Sequence, residues 1–123
     1  MADMDTALKD IMQIEGAIGA ALVDYTSGMA LGTVGTSKDL DLSIAAAGNT
    51  EVIRAKMRTL DMLKMKDAIE DILITLDSQY HLIRPLTGRN GQGLFLYVAL
   101  TKNRANLALA RLQVRRVEEE LQV

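Results

Sequence analysis

The chain has 123 residues, with 14 Lys+Arg against 16 Asp+Glu, and its net charge of −2 offers no general phosphate-binding surface. Aromatic residues make up 3% against 49% hydrophobic, so the core is aliphatic and base stacking on nucleic acid is not expected. No Cys and one His remove disulfides, Cys-ligated zinc, thiol nucleophiles and any site that needs two imidazoles.

The longest apolar runs, residues 17–23 and 94–100, fall far short of the ~20 residues of a membrane span. The acidic start does not resemble a signal peptide, which opens basic and continues apolar. These features predict one soluble, cytoplasmic domain over residues 1–123, with no cofactor, nucleic-acid contact or membrane insertion.

Asp5 or Thr6 is expected to cap a first helix, with Leu8, Ile11 and Met12 on one face, Met4 a turn earlier, and Gly16 as its end. Residues 17–25 follow as a strand that is apolar on both alternating faces, Ile18, Ala20 and Leu22 against Ala21 and Val23. Such a strand is covered on both sides, hence central. Thr26, Ser27 and Gly28 form a hairpin turn. Residues 29–34, interrupted by Gly32 and followed by Gly35, read as an edge strand.

Ser37 opens the longest helical pattern, which ends around Lys64. A broad stripe of Leu42, Ala45, Ala46, Val52, Ile53, Leu60 and Leu63 suits the covering of a sheet. Ile44, Gly48, Ala55 and Met62 make a second, narrower stripe of mostly small residues. Thr50, Glu51, Arg54, Arg58 and Asp61 fill the polar sector. A second apolar stripe points to a second packing partner, the alternative being monomer surface.

Three strands are expected at 69–76, 80–86 and 94–100, joined by a tight turn at Asp77 and Ser78 and a hairpin loop at 87–93. The last is apolar on both faces and therefore also central, while Glu70, Asp71 and Thr75 beside Ile72, Ile74 and Leu76 mark an edge. Pro85 lies near the end of its run, where a missing ladder donor is tolerated. Asn103 caps a final helix over 104–121, with Leu107, Ala110, Val114, Val117 and Leu121 at 3/4 spacing. The fold class is α+β, in the order α-β-β-α-β-β-β-α. The sheet is mainly antiparallel, with the long helix on one face and the terminal helices on the other.

This order resembles the roadblock/dynein light chain family of the roadblock–longin group, and the likeness runs from Ala7 to Leu121. It is carried by GAIGAALVDYTSGM at 16–29, AAAGNTEVIR at 45–54, DILIT at 71–75, YHLIRPL at 80–86, LFLYVAL at 94–100 and NLALAR at 106–111. Each piece is weak alone, and their joint order is the specific part. The resemblance implies a strand order of 2-1-5-4-3. It also implies a homodimer made by pairing the third strand with its copy and packing the long helix beside its copy. Ile44, Gly48, Ala55, Met62, Glu70, Ile72 and Ile74 would then form the interface, burying an edge otherwise open to aggregation.

Little in the chain carries chemistry. His81 sits inside a strand with no nucleophile motif to pair with, which favours a structural role. The loop from Gly88 to Gly93 lacks the Lys and following helix of a phosphate loop, so its glycines read as turn formers. Asp3, Asp5 and Asp10 lack the pattern of a calcium loop, and Asp39 and Asp41 suit a helix start. Arg111, Arg115 and Arg116 before Glu118, Glu119 and Glu120 read as a solvated helix face.

The resemblance implies a non-catalytic, bacterial-type platform that binds a small Ras-like GTPase. Glu51, Arg54, Arg58 and Asp61, recurring at helical spacing beside the expected dimer seam, are the candidate contact surface, the alternative being an ordinary solvated face. The alternatives are a scaffold gripping an amphipathic helix of a larger complex and, more remotely, a ligand sensor or enzyme using His81.

Overall fold

The computed structural model describes residues 2–35, 40–88 and 91–121. Helix α1 (Met4–Met12) leads into strands β1 (Ala17–Asp24) and β2 (Met29–Val34), followed by the long helix α2 (Leu42–Met62). Strands β3 (Ile72–Thr75), β4 (Gln79–Pro85) and β5 (Leu94–Thr101) come next, and helix α3 (Leu107–Glu120) closes the order. The five strands form one antiparallel sheet, β2-β1-β5-β4-β3.

The two strands with apolar residues on both faces are the inner pair. β1 and β5 pair from Ala17 opposite Leu100 to Asp24 opposite Leu94, with one register shift between Ala17 and Gly19. Alternation then divides the core. Ala20, Leu22, Leu96, Val98 and Leu100 face α1 and α3, where Leu8, Ile11, Ala110 and Val114 are buried. Ala21, Val23, Phe95, Tyr97 and Ala99 face α2, where Ala46 and Ile53 are buried. At nine residues α1 is too short to persist alone, so the burial of Leu8 and Ile11, worth about 1.5–3 kcal/mol each, holds it to the sheet. The backbone N–H of Ala2 donates to the carbonyl of Glu120 at 2.7 Å, and Ala2 bridges Leu121, so the first and last described residues meet on the α1/α3 side.

Element boundaries differ from the sequence reading where two capping residues compete. Asp3, rather than Asp5 or Thr6, caps α1 by accepting from the N–H of Thr6 at 2.9 Å. α1 ends at Met12 with Gln13 as its C-cap, and Gly16, at φ +90°, instead turns the chain into β1. Asp41 caps α2 through the N–H groups of Ser43 and Ile44; Ser37 and Asp39 lie outside the described residues. Asn106, not Asn103, caps α3, because residues 101–105 form a turn on the carbonyl of Thr101 first. β3 is shorter than 69–76, since Ile69 packs down on the α2-side core and the carbonyl of Glu70 accepts from Arg84.

The sheet-facing stripe of α2 is also shifted. Val52 and Leu63 are exposed, whereas Thr50 is buried with its hydroxyl donating to the carbonyl of Ala46 at 2.7 Å. On α3, Glu118 leaves the expected solvated face and is buried against Arg84, as described below.

Candidate interaction surface

α2 is 21 residues long, roughly 30 Å at 1.5 Å per residue, and only one side of it touches the sheet. Ala46, Thr50 and Ile53 define that side. On the opposite side lie Ile44 (71% exposed), Gly48, Ala55 and Met62 (69% exposed). A Cβ added at Gly48 would meet nothing within 4 Å, so nothing in the fold of this chain demands glycine there. Val52 belongs with this outer stripe: it falls four residues after Gly48, and it is exposed. The spacing of Ile44, Gly48 and Val52 was the signal for it in the sequence.

Ile72 and Ile74 are half-buried on the α2 side of the sheet, while Leu73 between them is exposed on the other side. β3 pairs only with β4, through the register Ile72–Ile83 to Thr75–Tyr80, leaving its far edge open among the described residues. Glu70 precedes the strand and does not extend that edge. An outer helical stripe and an open strand edge are therefore both left without a partner among the described residues.

The four polar residues of α2 behave differently from one another. Glu51, Arg58 and Asp61 are exposed. Arg54 is drawn into the fold: its Nε donates to the carbonyl of Tyr25 at 2.8 Å and its Nη2 to that of Thr26 at 2.6 Å, with Glu51 3.6 Å away. These bonds tie α2 to the β1–β2 turn. There Asp24 accepts from both the N–H and the hydroxyl of Thr26, and Gly28 takes the positive φ (+82°) that closes the hairpin. The two hydrogen bonds to Thr26 hold the Asp24 carboxyl below its ordinary range.

His81 lies on the α2 side of β4. The hydroxyl of Tyr97 is 3.1 Å from Nδ1, and Gln79 Oε1 is 2.8 Å from Nε2. The neutral tautomer protonated at Nε2 satisfies both contacts, with Tyr97 donating to Nδ1. Burial pushes the Tyr97 hydroxyl up to about 12 and lowers His81, which favours this uncharged pair. Both ring nitrogens are thus occupied by partners within the fold. Arg89 and Asn90 of the glycine loop lie outside the described residues. Among the described residues no group of three or more His, Asp or Glu side chains could hold a metal ion, and no helix is long and apolar enough to cross a membrane.

On the opposite face of the sheet Arg84 and Glu118 form a buried ion pair, Nε to Oε1 at 3.1 Å, with side chains 8% and 3% exposed. Oε2 of Glu118 accepts from the hydroxyl of Thr87 at 3.0 Å, and Nη1 of Arg84 reaches the carbonyl of Glu70 at 3.3 Å. Arg111 grips Asp71 with two bonds of 2.9 Å. Both contacts fasten α3 to the β3–β4 side of the sheet.

The arrangement is a roadblock fold, with one helix on the α2 face and two on the other. It closely matches solved structures. The Roadblock/LC7 domain from Streptomyces avermitilis superposes with a TM-score of 0.78 at 15% identity, over 96% of this chain and 93% of that one. Gliding protein MglB from Thermus thermophilus gives 0.78 at 17% identity, over 94% and 82%. An MglB with a tetrameric arrangement gives 0.78 at 18% identity, again over 94% and 82%. No protein-family model and no curated protein matches the sequence.

Proposed function

We propose that this chain is a non-catalytic homodimeric platform that binds a small Ras-like GTPase and modulates its nucleotide cycle in the cytoplasm. The observation that carries the dimer is the outer stripe of α2, Ile44, Gly48, Ala55 and Met62, left exposed along the helix, together with the open edge of β3. Small residues in such a stripe let two backbones approach closely, and joining two β3 edges removes an aggregation-prone boundary. A roadblock-fold neighbour with a tetrameric arrangement supports self-association. The partner class is the one that the roadblock resemblance implies.

Within the polar sector the roles divide. Arg54 holds the β1–β2 turn through two backbone carbonyls and is not free to enter another active site. Arg58 is exposed, so with Glu51 and Asp61 it is the residue to meet the partner. Modulation then acts by ordering the GTPase's own switch segments, with a trans contribution from Arg58 as the variant of that mechanism.

Two measurements test the reading. Light scattering of the full chain should give a dimer, and Gly48→Arg should give a folded monomer; a wild-type monomer at high micromolar concentration overturns the dimer. A candidate small GTPase, loaded in turn with GTP analogue and with GDP, should bind preferentially in one state, and Arg58→Glu should abolish that preference. Equal binding in both states favours a scaffold instead, and failure in both overturns the GTPase reading.

A further inference from the structure

The chain leaves α2 through a tight turn that opens a groove away from the outer stripe. The N–H of Met65 donates to the carbonyl of Leu60, and that of Lys64 to Asp61, both at 3.0 Å. This is a Schellman turn with Lys64 in the left-handed position, φ +58°, where glycine is the usual residue. The following segment reaches β3 without joining the sheet, and Asp67 and Ala68 on it are exposed. Between this segment, the end of α2 and the end of β4 lies a groove of ≈ 460 Å³.

Its lining is mainly apolar: Met57, Leu60, Met65, Ile69, Pro85 and Leu86 contribute, with Tyr25 beyond them. The charged residues that line it, Asp61 and Asp67, are both carboxylates. Neither forms an ion pair among the described residues, where the ion pairs are Arg54–Glu51, Arg84–Glu118, Arg111–Asp71 and Arg115–Glu119. Lys64 and Lys66 belong to the same segment but do not line the groove.

These features select one kind of occupant. A small-molecule site is usually concave with a few buried polar groups converging on the ligand, whereas Asp61, Asp67 and Thr87 are all exposed here. Two unpaired carboxylates beside an apolar trough complement a cation beside an apolar side chain. Met57 and Met65, flexible and polarizable, adapt to side chains of varied shape. We propose that this groove docks a segment of a partner protein that presents an aliphatic or aromatic side chain next to a Lys or Arg. The site is separate from the outer stripe of α2, and the proposal does not rest on the GTPase reading.

The test uses the full chain as bait for a displayed library of random peptides, followed by NMR of methionine methyl groups with the enriched peptide. The enriched sequences should share an apolar residue adjacent to Lys or Arg. The winning peptide should shift the Met57 and Met65 signals and leave Met29, on β2, unmoved. Asp61 also belongs to the polar sector of α2, so Asp67→Lys is the discriminating variant. It should weaken peptide binding several-fold while leaving the dimer and any GTPase binding intact. Arg58→Glu should do the reverse. No enrichment, acidic consensus sequences, or shifts at Met62 in place of Met57 and Met65 would each overturn the proposal. So would Met57 and Met65 shifts that depend on protein concentration without peptide, because a second copy would then be the occupant.

Discussion

The two faces of the sheet are closed in different ways. On one, α1 and α3 share the covering, and α3 is fastened by the buried Arg84–Glu118 pair and the two-bond Arg111–Asp71 contact. On the other, α2 covers the sheet alone, and its outer side carries Ile44, Val52 and Met62 into solvent. α3 does expose Leu109 and Leu112, yet charged Arg111, Arg115, Arg116 and Glu119 surround them. The apolar stripe on α2 instead contains Gly48 and Ala55, small residues that contribute little to a monomer. One face is thus fastened within the chain itself, and the other leaves an apolar helical stripe exposed.

The largest effect should come from breaking the fastened face. Glu118→Ala strands the Arg84 guanidinium in a buried position and should destabilise the chain by about 3–5 kcal/mol in urea unfolding. Replacing both partners by apolar residues, as in Arg84→Met with Glu118→Leu, should recover most of that loss, since well-packed apolar substitutes for a buried pair are often neutral or better. A single-variant loss below about 1 kcal/mol would show the pair to be an ordinary surface contact.

On the α2 face the expected changes are smaller and of opposite sign. Lys64→Gly relieves the left-handed backbone at the end of α2 and should stabilise by about 1 kcal/mol. Gly48→Ala should stabilise the monomer by about 0.5–1 kcal/mol, because it improves helix propensity in open space. The same substitution should weaken the dimer if the helices touch there. Opposite signs in monomer unfolding and in dimer dissociation, measured on one protein, would sharpen the contrast between the faces; equal signs would erase it.

The smallest effect is a dependence on pH. Burial depresses the His81 pKa, so the folded chain resists a proton that the unfolded chain accepts near 6.5. The contribution of neutral His81 is therefore full above that value. It declines as the pH falls through it, and it is lost below the depressed folded-state pKa. His81→Gln should flatten the stability profile in that window, and an unchanged profile would show that His81 titrates alike in both states.

Much of this contrast was legible in the sequence, for identifiable reasons. Apolar residues on both alternations of 17–23 and 94–100 permit only the inner positions of a sheet, and that is where β1 and β5 lie. The second stripe of α2 was readable because helical spacing separates it from the sheet-facing side. Starts of helices were harder: Asp3 against Asp5, or Asn106 against Asn103, are chemically equivalent caps, and only the tertiary path of the chain chooses between them.

The Arg84–Glu118 pair was missed although its signal was present. Arg84 falls on the same alternation as Tyr80 and Leu82, and Glu118 continues the four-residue spacing of Ala110 and Val114. Opposite charges on the inward stripes of two elements are a pattern that periodicity alone treats as noise. The groove beyond α2 could not be read at all, because it depends on how residues 65–71 wander before β3, and no period governs an irregular segment.

The meeting of Ala2 with Glu120 and Leu121 has a practical consequence. An affinity tag, a fluorophore or a surface tether attached at either end departs from the side of the sheet remote from α2. Immobilised molecules then have α2 on the side of the sheet away from the tether. A head-to-tail fusion of two copies needs a linker long enough to pass around the sheet before the two helices can meet.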